Sequence, residues 1–160
     1  MDCQCNVCKS ACRKRPGWFA PGEVAKAAEY KGITLEEFFN SFVGVDYYAN
    51  GDESVFILAP ATERAQPGQE YPFNPHGTCV FFKNGLCDIH PVKPNECRFY
   101  DHTTEREVCM ENRAKLTQEW RENRQEIVDL LGREPVLPVP TVLEAMEMVL
   151  EDLHHKFGGF

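Results

Sequence analysis

The sequence predicts a single domain that is mainly α-helical, with a small β-hairpin and an otherwise irregular arrangement of short segments. Three observations support this prediction. The chain has 160 residues, which suits one domain with a buried core. Apolar residues recur at helical spacing in several separate segments. Asn84-Gly85, a strong signal for a hairpin turn, stands between two short apolar segments.

Two short helices are predicted in the first third of the chain. Pro21-Gly22 leads into the first helix, and Gly32 should end it. Thr34 opens the second helix, because Glu37 follows it at the spacing of a capping box. The second helix should bury an apolar face that consists of Leu35, Phe38, Phe39 and Phe42.

The predicted β-structure lies in the middle of the chain. Residues 55–58 predict a short strand, and the proline- and glycine-rich residues 61–77 predict a surface loop. The Asn84-Gly85 turn predicts a hairpin that brings Cys79 and Cys87 onto neighbouring strands.

Two further helices are predicted in the last third of the chain. A long helix near residues 104–131 should bury one face, with Cys109 pointing inward along it. That face consists of Leu116, Trp120, Ile127 and Leu131. Gly132 ends the helix, and Thr141 with Glu144 should cap a C-terminal helix. The predicted buried stripe of the C-terminal helix consists of Val142, Met146, Val149 and Leu153.

Charge and hydropathy exclude several classes of partner. The chain carries 17 basic and 25 acidic residues, and its net charge of −8 disfavours nucleic-acid binding. No apolar run approaches the roughly 20 residues that span a bilayer, so no membrane association is expected. The polar amino-terminal residues lack the apolar segment of a signal peptide, so we expect a cytoplasmic protein. In that reducing compartment, clustered cysteines bind metals or do redox chemistry more often than they form disulfides.

Four cysteines open the chain, namely Cys3, Cys5, Cys8 and Cys12. The Cys5-x2-Cys8 spacing is that of a metal knuckle, in which two thiolates reach one ion. Cys12 follows Cys8 by about one helical turn, so both sulfurs can face the same centre. Basic residues accompany this group, namely Lys9, Arg13, Lys14 and Arg15. Such cations stabilise thiolates and offset the negative charge of a thiolate-rich site.

A second group consists of Cys79, Cys87, Cys97 and Cys109. The gaps between these cysteines match no simple zinc ribbon, but a hairpin, a turn and a helix start can bring them to one place. His90 and His102 follow two of the cysteines closely and are candidates to replace a thiolate as ligand. The alternative is that these histidines form hydrogen bonds beside the site.

Together the two groups resemble a known family. The chain contains CNVCKSAC, then CVFF, then GLCDI, then KPNECR. The order of these four elements is similar to that of the YkgJ-like cysteine-cluster family of the CxxCxxCC type. The resemblance implies a domain that chelates zinc or iron. The resemblance covers residues 5–109. Ala11 stands where the family has a further cysteine, so either Cys3 supplies that thiol or one site has three cysteine ligands.

These observations predict a metal site with thiolate ligands that holds the short segments of the irregular domain together. All eight cysteines are candidate ligands: Cys3, Cys5, Cys8, Cys12, Cys79, Cys87, Cys97 and Cys109. Zinc is favoured, because widely spaced ligands suit structural zinc and the ferredoxin order of cysteines is absent. Iron or an iron–sulfur cluster is the alternative, since it also takes four thiolates.

Three functions remain open for residues 1–160, which we treat as one domain with a helical C-terminal part at 104–160. The first is a metal-chelating protein whose metal is structural. The second is an iron–sulfur redox protein or enzyme, although no nucleophile–base pair, phosphate loop or H-E-x-x-H motif identifies a substrate. The third is an adaptor with a structural metal site, which docks an unidentified protein partner through its last helix or its long polar helix.

Overall fold

The structure, a computed structural model, describes residues 5–50, 53–71, 76–138 and 142–157. Within these ranges it contains seven α-helices: α1 (Asn6–Lys14), α2 (Glu23–Lys31), α3 (Leu35–Phe42), α4 (Asn95–Arg98), α5 (Arg106–Glu122), α6 (Arg124–Leu131) and α7 (Val142–Phe157). Four strands form two antiparallel pairs: β1 (Val43–Asn50) with β2 (Glu53–Pro60), and β3 (Phe82–Lys83) with β4 (Leu86–Cys87). This is the predicted fold class, mainly α with a small hairpin.

The two short helices predicted in the first third are confirmed. Gly22 and Gly32 bound α2 with positive φ angles of 82° and 69°, which glycine adopts without strain. α3 begins with the predicted capping box. Its apolar face is narrower than predicted, because Leu35 in the first turn is 39% exposed. The buried part of that face consists of Phe38, Phe39 and, partly, Phe42.

The larger β-sheet was only partly predicted. The strand expected at residues 55–58 is part of the eight-residue β2, and its partner β1 was missed. β1 contains Gly44 and Asp46, and both residue types are uncommon in strands. In the fold, Gly44 leaves no room for a Cβ against the Tyr71 ring. Asp46 is buried and accepts a hydrogen bond of 2.7 Å from the Trp18 indole.

The prediction of a surface loop after β2 is wrong for much of residues 61–71. Tyr71 is buried in the core, and its hydroxyl donates a hydrogen bond of 2.9 Å to the carbonyl oxygen of Ala59. The Tyr71 amide also donates to the carbonyl oxygen of Val45 at 2.8 Å. Proline and glycine mark this segment as irregular but do not reveal that its backbone runs against β1.

The predicted hairpin is confirmed, with one correction. Asn84 and Gly85 form its turn with positive φ angles of 51° and 77°. Phe82 lies opposite Cys87 on the paired strand. The prediction that Cys79 lies on the neighbouring strand is wrong, because β3 begins three residues later. Cys79 instead forms an isolated bridge with the segment that follows β2.

The predicted long helix is two helices that break at Asn123. The Asn123 side chain donates a hydrogen bond of 2.8 Å to the carbonyl oxygen of Glu119, and α6 begins at the next residue. The predicted inner face is confirmed for its buried members, Leu116, Trp120 and Ile127. The Trp120 indole donates a hydrogen bond of 2.7 Å to the carbonyl oxygen of Phe19, which fixes α5 against the N-terminal segment.

The predicted buried stripe of α7 is wrong. Three of its members are largely exposed, namely Met146 at 58%, Val149 at 59% and Leu153 at 47%. Helical periodicity identifies an apolar face but not what covers it. The side chains of the other residues in this prediction lie outside the described part of the structure, namely Thr141, Val142 and Glu144. In the part of the chain that the structure describes, no helix has the length and hydropathy to cross a bilayer.

The core lies between the larger sheet and helices α2, α3, α5 and α6. Its largest buried side chains include Trp18, Phe19, Phe38, Phe39, Ile57, Leu58, Phe81 and Trp120. The Phe19 amide donates a hydrogen bond of 3.0 Å to the carbonyl oxygen of Leu58. The carbonyl oxygen of Trp18 accepts one of 3.1 Å from the Glu96 amide. Two consecutive core residues therefore anchor α4, which carries Cys97, to β2.

Candidate metal centre

The cysteines of the structure occupy two neighbourhoods. Seven cysteines lie among the described residues, all of them half-buried and none in a disulfide, whereas Cys3 lies outside those residues. The first neighbourhood, here named the histidine group, consists of Cys5, Cys8 and His102. The second, here named the thiol cavity, is surrounded by Cys12, Cys79, Cys87 and Cys97.

The histidine group joins the start of α1 to the loop that follows α4. Cys5 caps α1 and Cys8 lies about one turn further on, so both sulfurs project from the same side of the helix. Nδ1 of His102 lies 3.4 Å from the sulfur of Cys5 and 3.5 Å from that of Cys8. The three ligand atoms all lie within 4.8 Å of one another, close enough to hold a metal ion.

Cys109 lies beside the histidine group. Its sulfur lies 3.6 Å from the carbonyl oxygen of Phe99, to which the thiol donates. Cys109 and His102 line the same cavity, which has a volume of about 400 Å³. The prediction that Cys109 points into the core with Leu116 is wrong, because residues 106–111 include no buried position and this end of α5 extends beyond the core.

The thiol cavity has a volume of about 580 Å³. Its four thiols come from four separate elements: the end of α1, the loop before β3, strand β4 and helix α4. Cys8 of the histidine group also lines it. The Cys79 amide donates a hydrogen bond of 2.7 Å to the carbonyl oxygen of Cys12, and the Gly77 amide donates one of 2.8 Å to that of Lys14. Two backbone bonds therefore fix the end of α1 beside the middle of the chain.

The four thiols around the cavity are spaced more widely than the ligand atoms of the histidine group. In the described ranges, no three of their sulfurs all lie within 4.8 Å of one another. They are nevertheless close enough to interact, because charge on Cys12 raises the pKa of Cys79, of Cys87 and of Cys97.

Burial raises the pKa of every thiol around the cavity. The pKa of Cys79 rises to about 12, and that of Cys97 rises well above the ordinary thiol value. Burial also raises the pKa of Cys12 and of Cys87, while the charge of Lys93 acts in the opposite direction on both. A cation bound among these sulfurs reverses the effect of burial, because it stabilises thiolates.

Backbone amides point at all four sulfurs. The donors are the amides of Phe81 and Phe82 for Cys79, of Ile89 for Cys87, of Gly17 for Cys97 and of Cys12 itself for its own sulfur. A Cβ at Gly17 would lie 2.7 Å from the Cys97 sulfur and 2.9 Å from its amide nitrogen. Only glycine therefore allows the backbone to approach this thiol so closely. Amide donors of this kind favour the thiolate form that binds metal.

Cations dominate the charged wall of the thiol cavity. They are Lys9, Lys14, Arg15, Lys93 and Arg113, against the two carboxylates Glu96 and Asp101. The guanidinium carbons of Arg15 and Arg113 lie 5.1 Å and 4.9 Å from the centroid of the Trp18 ring. Arg113 also forms an ion pair of 2.5 Å with Glu96. Three of the four basic residues in the N-terminal group thus line the cavity, and the fourth, Arg13, lies over the Phe82 ring.

Glu23 positions α4, although the sequence gives no sign of this role. Its Oε2 accepts hydrogen bonds of 2.8 Å from the amides of Ala20 and Asn95, and Arg98 forms an ion pair with its other oxygen. Glu23 is only 8% exposed. These bonds hold the short helix that carries Cys97 against α2. In the sequence, Glu23 is indistinguishable from an ordinary acidic residue in a first helical turn.

The structure divides the cysteines between the two neighbourhoods in a way that their order in the sequence does not predict. Cys5, Cys8 and Cys12 follow one another closely, yet the first two form the histidine group and the third joins the thiol cavity. His90, the other candidate ligand, lines the thiol cavity with Nε2 at 3.4 Å from Nζ of Lys93. No family model, curated protein or solved structure matches the chain. The resemblance to the cysteine-cluster family therefore rests on its motifs alone.

Proposed function

We propose that this chain is a metal-binding protein with two centres, whose metals tie its N-terminal segment to the rest of the domain. The observation that carries the proposal is the histidine group, in which two sulfurs and one imidazole nitrogen lie within 4.8 Å. Helices α1 and α4 bear candidate ligands but contain no buried residue. Segments with so little core need another source of stability, and metal binding supplies folding free energy directly.

The distances in the histidine group suit zinc. In a tetrahedral zinc site, a sulfur at about 2.3 Å and a nitrogen at about 2.0 Å from the ion lie about 3.6 Å apart. The corresponding distances from His102 to the sulfurs of Cys5 and Cys8 are 3.4 Å and 3.5 Å. Cys109, which lines the same cavity as His102, is our candidate for the fourth ligand. Three cysteines and one histidine form a common structural zinc site.

The thiol cavity favours a second candidate function, that of an iron–sulfur protein. A single tetrahedral zinc ion holds its thiolates about 3.8 Å apart. Among the described residues, no three sulfurs of this cavity all lie within 4.8 Å of one another, so they are not gathered around a single zinc-sized point. A four-iron cluster binds each thiolate through a different iron, so its ligands stand farther apart around a larger space. The cavity volume of about 580 Å³ supports such an occupant.

The residues around the thiol cavity are suited to a cluster bound by Cys12, Cys79, Cys87 and Cys97. When bound, an iron–sulfur cluster supplies one-electron transfer. The amides that point at the sulfurs and the ammonium group of Lys93 offset the charge of the thiolates. Phe81 lines the cavity and is 1% exposed, so it excludes water from that side.

Anaerobic purification of the full chain, followed by zinc, iron and acid-labile sulfide analysis and visible spectroscopy, tests both centres. We expect zinc at about one per chain, together with iron, sulfide and broad visible absorption. His102→Gln should remove the zinc and retain the iron, whereas Cys97→Ser should do the reverse. The matched control His154→Gln, at an exposed position on α7, should change neither metal.

The outcomes separate the two parts of the proposal. A protein that copurifies with no tightly bound metal, and takes up none on anaerobic reconstitution, would overturn both. Two zinc ions and no iron would overturn the iron–sulfur assignment and support zinc in both centres. Loss of both metals in each variant would contradict the division into two centres.

A further inference from the structure

We infer that this chain self-associates through α7, with two copies packed antiparallel along an exposed apolar face of that helix. The face consists of Leu143, Met146, Val149, Leu150, Leu153 and Phe157, which are 67%, 58%, 59%, 62%, 47% and 78% exposed. The inference is independent of the metal centres, because none of these residues belongs to them.

The other side of α7 already has a partner within the chain. Ala145, Met148 and Glu151 recur every three residues and are half-buried. Glu151 forms an ion pair with Arg64, in the segment that follows β2. The docked side of the helix is thus the less apolar one, and the large apolar side chains face solvent. A contiguous exposed patch of this kind marks an interaction surface.

The spacing of the exposed residues is that of a seam between two helices. Five of the six residues lie at alternating gaps of three and four, which are the a and d positions of a heptad repeat: Leu143, Met146, Leu150, Leu153 and Phe157. Val149 lies at the flanking g position. Residues at the a and d positions pack against the same positions of a second helix, and the apolar side chain at g flanks the seam.

Charge complementarity identifies a second copy, in antiparallel orientation, as the partner. Glu147 and His154 both follow d-position residues and occupy e positions, which face each other across an antiparallel pair. When Leu150 of one copy packs on Leu153 of the other, Glu147 comes beside His154 of the second copy. The symmetry of the pair creates this acid–base contact twice. A parallel pair would bring His154 beside Val149 instead.

The apolar area of α7 is sufficient for a weak but specific dimer. Six side chains of about 150–200 Å² each, exposed to the fractions given above, offer about 600 Å² per copy. A pair therefore buries on the order of 1,200 Å², the lower end of the range for specific interfaces. We expect a dissociation constant on the order of micromolar for an interface of this size.

Sedimentation equilibrium of the purified full chain across the micromolar range tests the inference. The wild-type chain should form dimers. Leu150→Glu should raise the dissociation constant by about a hundredfold or more, because a charge then lies at the centre of the seam. The matched control Leu137→Glu replaces another leucine that is 52% exposed and should leave the dissociation constant unchanged.

A charge exchange tests the identity of the partner. Glu147→Lys should weaken the dimer, and the added substitution His154→Glu should restore it. Circular dichroism verifies that each variant is folded. Monomers at every concentration, or equal effects of Leu150→Glu and Leu137→Glu, would overturn the inference. Failure of His154→Glu to restore the dimer would overturn the antiparallel arrangement.

Discussion

The amide of Cys79 donates a hydrogen bond of 2.7 Å to the carbonyl oxygen of Cys12. This bond joins the last turn of α1 to the loop before β3, and both residues also contribute a thiol to the cavity. The backbone therefore sets the relative position of two candidate ligands independently of any metal. Because α1 contains no buried residue, a few backbone bonds and the candidate ligands are its main attachments to the domain.

Removal of metal should loosen the ligand-bearing segments selectively. α1 and α4 contain no buried residue, whereas β2 carries Ile57 and Leu58 in the core. A strong chelator should lower the Tm by about 10 °C or more, since each kcal/mol shifts the Tm of a domain of this size by about 2–4 °C. Hydrogen exchange should show that α1 and α4 lose protection while β2 keeps it. Unchanged melting and exchange would argue against a structural metal.

Gly17→Ala should disturb the thiol cavity without replacing a candidate ligand. The new Cβ would lie 2.7 Å from the sulfur of Cys97, so α4 must shift. We expect a loss of about 1–3 kcal/mol in the free energy of unfolding, typical of overpacking, together with a lower iron content. Urea denaturation and metal analysis measure the two effects.

Gly22→Ala provides the control for that substitution. No atom lies within 4 Å of a Cβ at Gly22, but its φ of 82° is strained for alanine. The control should cost about 1 kcal/mol and leave the metal content unchanged. If both variants lost iron equally, the close approach of Gly17 to Cys97 would not be the cause.

Glu23→Gln should weaken the attachment of α4. The amide group of glutamine offers one acceptor oxygen, while the carboxylate now accepts from two backbone amides and from Arg98. We expect a loss of about 1–3 kcal/mol, because at least one buried donor loses its partner. Chemical denaturation measures it, and Glu36→Gln, at an exposed position on α3, should cost less than about 0.5 kcal/mol. Equal losses in the two variants would contradict this role of Glu23.

Asp46 should make the stability of the domain depend on pH. Burial raises the pKa of this carboxyl from 3.8 to about 6, against the opposing effects of its hydrogen bonds from Trp18 and Tyr47. Among nearby charges, Arg15 lowers this pKa and Glu96 raises it. Because the folded-state pKa is the higher one, the contribution of Asp46 to stability is complete below about pH 4 and is lost as the pH rises through about 6.

Asp46→Asn should remove this dependence. The contribution is on the order of 3 kcal/mol, and asparagine retains an acceptor oxygen for Trp18. Relative to the wild type, the variant should therefore gain stability as the pH rises from 4 to 7, as measured by urea denaturation at each pH. Taking the difference at each pH cancels contributions common to both proteins. Asp129→Asn, at an exposed position on α6, is the control, and the same curve for both variants would refute the assignment.

The elements that local signals determine could be predicted from the sequence. Asn84 and Gly85 form the expected turn, because two consecutive positive φ angles suit few other residue pairs. The capping box of α3 is also a local arrangement. β1 escaped prediction because Gly44 and Asp46 serve partners far along the chain, the Tyr71 ring and the Trp18 indole. The exposed face of α7 was misassigned, since periodicity does not distinguish a face that meets the core from one that faces solvent.

The candidate site shows the same difference between features that local sequence determines and features that depend on distant contacts. The cysteines could be recognised as candidate ligands from their residue type and clustering, but their grouping depends on contacts between distant segments. His102 meets Cys5 across 97 residues, and spacing alone cannot indicate that meeting. The approach of Gly17 to Cys97 likewise depends on how α4 packs against Trp18 and Glu23.

The separation between Cys5 and His102 has a consequence for the biogenesis of the protein. A ribosome exposes the first two thiols of the histidine group long before it adds the imidazole, because synthesis proceeds from the N-terminus at about 5–20 residues per second. The knuckle thiols of a nascent chain are thus exposed to oxidants during that interval. Under the proposed function, metal insertion at the histidine group would be a late event, after most of the domain has been synthesised. The cellular supply of metal would then, under the same proposed function, influence how many new chains reach the stable folded state.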